Sequence, residues 1–316
     1  MAPKVTLCST PTSINLAVSA LSTHSVILID CEAQDLGRPG GVLSLISLSD
    51  PLAKHVFLID ALAFPSTYPI PPRSRSKSKS KAPPPTPPPR PHPALAPLLA
   101  LLSLPHITKV FWDGRADALE LHLCYGLALT NILDLQLVDV AARVRNSTPG
   151  QPAPDLIRGF FKPIRAEVER DPGAYADIYA LRGLAHAVGW FQLLPKNKDG
   201  EQTLKDPAVV AMHESGGSAL WLTRPLPPAL LTYAAHDLTL IALLHAHFTR
   251  RAWVRKTMPV LLAQSAAYVG SIGSREENAR LGEMDLKRFM PLGILDGGKE
   301  EEEGPWYASL NIDTQA

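Results

Sequence analysis

The stretch "VILIDCEAQDLG", Val26 to Gly37, constrains the fold more than any other. Val26 to Ile29 are β-favouring and apolar, so they read as a buried strand. Asp30 and Glu32 follow, one residue apart. Residues two apart on a strand share a face, so two carboxylates enter one small volume. Like charges that close raise each other's pKa and resist joint ionisation. A chain that keeps this pair needs a compensating positive charge, and the strand must end where such a charge can reach it.

The chain has 316 residues, enough for one large domain or two ordinary ones. Hydrophobic residues make up 46% and charged residues 19%, which suits a soluble globular protein with a sizeable core. A formal net charge of +1 offers no global attraction to nucleic acid, so any such binding must be local. Cys8, Cys31 and Cys124 show no CxxC spacing, which argues against a disulfide framework or a thiolate zinc site and fits a reducing, intracellular compartment. The N-terminus lacks a compact signal peptide. The run "ALAPLLALLSL" is too short and proline-interrupted to span a membrane.

Along the chain, residues 1–23 read as an N-terminal extension and globular character begins near His24. "HSVILID", "VLSLISL" and "HVFLID" are spaced as an antiparallel meander, broken by "GRPGG" and "SDP". Residues 69–93 hold eleven of the 31 prolines and the alternating "RSRSKSKSK". Proline and like charge both oppose packing, so a disordered insertion is expected there. It reads as a solvated linker, or as a basic arm or nuclear-targeting signal, which leaves nuclear and cytoplasmic residence both open. A helix from about Ala94, a strand "ITKVFW" and a helix "ADALELHLCYG" follow. The remainder reads as mostly helical, clearest in "YADIYALRGLAHAVGW" and "PPALLTYAAHDLTLIALLHAHF". Such an order implies an α/β fold, a mixed sheet with helices packed on it. Residues 251–316 read as a C-terminal extension ending in the acidic "DGGKEEEEGPW".

Hard divalent cations take oxygen ligands, and a two-metal site needs several carboxylates. Asp113 ends the strand "KVFW" and Asp117 opens the next helix; either could join Asp30 and Glu32. In "YAAHD", Tyr233 and Asp237 are four apart and share a helical face. Each feature alone is commonplace, but their order is not. The chain resembles the DEDD superfamily of 3′–5′ exonucleases, in its RNase D-like branch with a tyrosine in the last motif. Asp-x-Glu on a strand is matched by "LIDCEAQDLGRPGGVLSLISL", and strand-then-Asp-helix by "KVFWDGRADALELHLCYGL". A further element is matched by "LDLQ" with Asp134, and Tyr-x-x-x-Asp by "YAAHD" after "WLTRPLPPALL". The resemblance spans 24–250.

The resemblance implies an RNase H-like mixed five-stranded sheet and a 3′–5′ exonuclease acting on RNA or single-stranded DNA. It favours Asp117 over Asp113, and implies two divalent cations, Mg²⁺ or Mn²⁺, held by Asp30, Glu32, Asp117 and Asp237, with Tyr233 orienting the attacking water. "IRGFFKPIR" offers Arg158, Phe160, Lys162 and Arg165 for a nucleic-acid strand. Arg115 stands beside Asp117 and either touches a phosphate or pairs with Asp113. The competing reading is an inactive nucleic-acid-binding or protein-interaction adaptor that keeps the fold. Against it, unpaired clustered carboxylates cost stability, so drift would remove them, and all are present.

Overall fold

The computed structural model describes residues 3–66, 90–146, 165–171, 178–194 and 217–295. Its centre is a six-stranded mixed sheet of β1 (Lys4–Cys8), β2 (Val26–Gln34), β3 (Val42–Ser49), β4 (His55–Asp60), β5 (Thr108–Phe111) and β6 (Ile132–Asp134), in the order β1-β4-β3-β2-β5-β6. β2, β3 and β4 form the antiparallel meander, while β5 pairs parallel to β2, and β6 parallel to β5. Ile27, Leu28 and Ile29 are all buried. A central strand with both faces covered reads as a continuous apolar run, as this one does.

The N-terminal residues do not stand outside this fold. β1 pairs parallel to β4 and supplies the sixth strand. α1 (Pro11–Leu21) begins at a Thr10–Ser13 capping box with Pro11 at its first position. It buries Ile14, Ala17 and Leu21 and packs against α2 (Ala96–Leu102). The globular unit therefore starts about twenty residues earlier than His24. The short edge strand "KVTLC" carries too little alternation to announce itself without its partner.

After β5 come α3 (Arg115–Tyr125), β6 and α4 (Leu135–Arg145), then α5 (Arg165–Arg170). The segment expected to be one helix, "YADIYALRGLAHAVGW", divides. Ile178–Ala180 is a strand, β7, and only Leu184–Trp190 is helical, α6. β-Favouring Ile178 and Tyr179 pair with β8 (Phe289–Pro291), a partner more than a hundred residues away.

α7 (Pro228–Thr249) is long and apolar enough to cross a bilayer by length and composition. In this fold it is a core helix: it packs across β2, β3 and β4 and buries residues such as Leu230, Leu238, Ile241 and Phe248. Beyond it, α8 (Ala252–Lys256), α9 (Met258–Val269) and α10 (Arg275–Glu283) are not an appendage. α9 packs on β6, α3 and α4, and the Ser265 hydroxyl accepts the Asp134 amide at 3.0 Å. Most of the proline-rich insertion, the "IRGFFKP" stretch and the acidic tail lie outside the described residues.

Candidate active site

Asp30 and Glu32 stand on the same face of β2, as strand periodicity requires, and Asp237 comes down to them from α7. One carboxylate oxygen from each lies within 4.8 Å of the others, and all three residues are half-buried. Withdrawal from water raises the Asp30 pKa well above the carboxylate range, and the charges of Asp117 and Asp237 raise it further. Glu32 is raised for the same first reason, then by Asp30, Asp237 and Asp117. Among the described residues, no basic side chain offsets either. A hard, oxygen-only donor set that resists joint ionisation fits divalent cations of the Mg²⁺ and Mn²⁺ kind.

Asp117 enters from the first turn of α3, nearly buried. It accepts the Cys31 amide at 2.8 Å, which ties the helix to the strand between Asp30 and Glu32. It lies outside the group of three that meets within 4.8 Å, yet its charge reaches both Asp30 and Glu32. Burial first, then the charge of Asp113, raises its own pKa to about 7, although its amide hydrogen bonds pull the other way. Tyr233 is one turn from Asp237 on the same face of α7. Its phenol is raised by burial, then by the charges of Asp237, Glu32 and Asp30, so it stays protonated at neutral pH and can donate.

Asp113 has a different environment. Arg115 donates to it through Nε at 2.5 Å and Nη2 at 2.9 Å, and Tyr268 through its hydroxyl at 3.4 Å. Arg115 is 4% exposed; it also donates to the Lys287 carbonyl at 2.8 Å and lies over the Tyr268 ring. Its guanidinium is taken up by these partners, so of the two expected roles the structure shows the pairing with Asp113. The junction is shaped by Asp134, which accepts the amides of Asp113, Gly114, Gln136 and Leu137 and caps α4. Gly114 is required there, because a Cβ would sit 2.6 Å from the Phe111 ring.

The "WLTRP" run positions α7. Arg224 donates to both oxygens of Asp60, at 2.9 and 2.7 Å, and to the Trp221 carbonyl at 2.8 Å. It also reaches the Ser44 hydroxyl at 3.0 Å, and that hydroxyl donates to the Trp221 carbonyl. Ser44 is the extra residue where the β2–β3 register shifts between Glu32 and Ala33. A bulge bends a strand and re-aims side chains, here directly at Glu32. Pinning that bulge and the start of α7 with one arginine sets the distance between the two halves of the acidic group.

A second clamp has no local signature. Glu120, fully buried on α3, accepts the Gly37 amide at 3.1 Å and pairs with Arg275 at 2.9 and 2.6 Å. Asn278 donates to the Gly37 carbonyl at 2.7 Å. The turn after β2 is thus held by α3 and α10 together. Periodicity marks Glu120 as an ordinary helical glutamate; only its contacts reveal the role. Of the remaining expected nucleic-acid contacts, Arg158, Phe160 and Lys162 lie outside the described residues, and Arg165 opens α5 without a described side chain.

Residues 5–149 match the family model described as 3′–5′ exonuclease. That stretch carries Asp30, Glu32 and Asp117, while Tyr233 and Asp237 lie beyond it. No curated protein matches the chain. Among solved structures, RNase D of Trypanosoma brucei is similar at 20% identity and a TM-score of 0.58, covering 86% of this chain and 74% of that one. Its complex with RNA U12 is similar at the same identity and TM-score, covering 87% and 72%. Its GMP complex is similar at 20% and 0.57, covering 86% and 65%. Residues 5–149 thus match the 3′–5′ exonuclease family model, and the chain is similar in fold to RNase D.

Proposed function

We propose that this protein is a metal-dependent 3′–5′ exonuclease that hydrolyses the terminal phosphodiester of RNA or single-stranded DNA and releases a nucleoside 5′-monophosphate. One observation carries the reading. Asp30 and Glu32 meet Asp237 within 4.8 Å although about two hundred residues separate them, with Asp117 and Tyr233 alongside. An adaptor has no use for a cluster of mutually repelling carboxylates, which costs stability.

Asp30, Glu32 and Asp237 would hold the cations, with Asp117 contributing from α3. Bound divalent cations neutralise the cluster, lower the pKa of water and stabilise the oxygens of an in-line phosphoryl displacement. The chain's own groups do the positioning. Tyr233, kept protonated by its acidic neighbours, donates a hydrogen bond that orients the attacking water. The water oxygen bonds to phosphorus, the bond from phosphorus to the 3′ oxygen of the preceding nucleotide breaks, and that oxygen leaves with a proton as a new 3′ hydroxyl. The similar T. brucei enzyme bound to RNA and to GMP supports a single-stranded substrate and a mononucleotide product.

The test is a gel assay with 3′- and 5′-labelled RNA and DNA oligomers, with Mn²⁺ and with chelator. The expected outcome is metal-dependent loss of the 3′ label first, with a 5′-labelled ladder shortening one nucleotide at a time. Internal cutting, or no cutting with Mn²⁺, overturns the proposal.

A further inference from the structure

Two cationic side chains from distant parts of the chain meet beside the junction that carries Asp113 and Asp117. Arg38 stands on the exposed turn that follows β2, and Lys287 follows α10. Both flank Gly282: a Cβ there would lie 3.0 Å from the Arg38 guanidinium and 3.5 Å from the Lys287 Cδ. The backbone at Lys287 is fixed to the site, since its carbonyl takes a 2.8 Å hydrogen bond from Arg115. The side chain is half-buried, yet neither it nor Arg38 has a hydrogen-bond or ion-pair partner among the described residues. Withdrawal from water lowers the Lys287 pKa, Arg115 and Arg38 lower it too, and Asp113 and Asp117 raise it. Its ammonium is therefore within electrostatic reach of both acidic residues and of Arg38.

Asp113 and Asp117 act on Lys287 only through space, so among the described residues the two cationic heads meet with no hydrogen-bonded or ion-paired anion on either. An anion between them satisfies both, and a phosphodiester offers the acceptor oxygens that guanidinium and ammonium bind well. We infer that Arg38 and Lys287 form a phosphate clamp that grips a phosphodiester of the substrate strand next to the one being cut. The inference rests on the exonuclease reading and extends it: the C-terminal residues complete the strand-binding surface. Such a clamp reads backbone, so it favours neither a base nor, by itself, RNA over DNA.

The test uses the full chain and the variants Arg38→Gln, Lys287→Gln and the double variant, with melting temperature as the folding control. Lys287→Arg keeps the charge and is expected to retain binding. Fluorescence anisotropy of a labelled single-stranded 12-mer RNA in chelator reads binding without catalysis. Each single variant should weaken binding about tenfold at moderate salt, equally for different sequences, and lower the salt slope by about 0.7. In Mn²⁺, kcat/KM for the oligomer should fall about ten times further than for the p-nitrophenyl ester of thymidine 5′-monophosphate, which has no neighbouring phosphodiester. Unchanged affinity and salt slope in the double variant, or equal losses on oligomer and ester, overturn the clamp. A wild type that binds the 12-mer and cuts neither substrate sinks the exonuclease reading while the binding comparison still decides the clamp; a wild type that binds no oligomer sinks both.

Discussion

Asp113 and Asp117 are separated by one helical turn, and their surroundings have opposite designs. Around Asp113, every charge is answered within the chain: Arg115 forks onto it, Tyr268 donates to it, and Asp134 is spent on backbone amides. Around Asp117, the carboxylates of Asp30 and Glu32 crowd together, and burial keeps both reluctant to ionise. The first region is satisfied and therefore structural. The second gathers mutually repelling carboxylates, an arrangement that suits a bound cation. A buried acidic residue does not by itself mark a site; several crowded together with raised pKa values point to one.

The comparison breaks most decisively at Asp30. Asp30→Asn is expected to lower exonuclease activity by about a thousandfold or more, the equivalent of several kcal/mol of lost transition-state charge stabilisation. The metal-free protein should melt at the same or a higher temperature, because a repelling charge is gone. Melting curves with and without Mn²⁺ check both; retained stabilisation by the metal removes Asp30 from the ligand set.

Tyr233→Phe should slow hydrolysis by roughly ten- to a thousandfold, what one positioned hydrogen bond contributes, while calorimetric Mn²⁺ affinity holds. Asp237→Asn, one turn away, should weaken metal binding itself. Equal effects of both on metal affinity would show that the phenol supports the carboxylates and not the water.

In the satisfied region the same kind of change should strike the fold first. Arg115→Met leaves the part-exposed Asp113 without its partner, so the loss should fall below the roughly 3–5 kcal/mol of breaking a fully buried pair. Denaturant titration should show this loss, together with unchanged Mn²⁺ stoichiometry. Loss of metal binding in a protein that remains fully folded would move Arg115 into the site.

A pH series sharpens the contrast. The Asp117 pKa is pushed up to about 7 in the fold, from an ordinary value of 3.8. Between those values the folded state holds a proton that the unfolded state has lost, so metal-free stability falls as pH rises across that window. Metal must displace that proton, so the melting-temperature gain from Mn²⁺ should grow over the same range. Asp117→Asn should weaken both trends, leaving the share that the raised Asp30 and Glu32 carry.

The smallest effect is expected in the proline-rich segment. Replacing residues 71–88 with a short Gly/Ser linker should leave folding and short-oligomer hydrolysis near wild type, since loop length costs only about 0.6 kcal/mol per doubling. Unfolding of that variant would make the proline-rich segment part of the architecture.

The sequence by itself determined a good deal. The apolar run before Asp30, the two-residue spacing to Glu32 and the four-residue spacing from Tyr233 to Asp237 are local periodicities, and local periodicity sets which face a side chain takes. The meander, the βα unit at Asp117 and the long core helix were legible for the same reason. What only the tertiary structure decided are matters of long-range partnership. Lys4–Cys8 is a strand because β4 is there to pair with it, and Ile178–Ala180 because β8 is. Nothing within a few residues of Arg115 says whether its charge faces solvent or Asp113. Glu120 becomes a clamp only when Arg275 and Gly37 arrive on either side of it. Arg38 and Lys287 meet only because α10 folds back over the turn after β2, held there by Asn278 on the Gly37 carbonyl. Whether a charge is answered depends on which distant groups the packed fold brings against it, and a linear pattern carries spacing but not company.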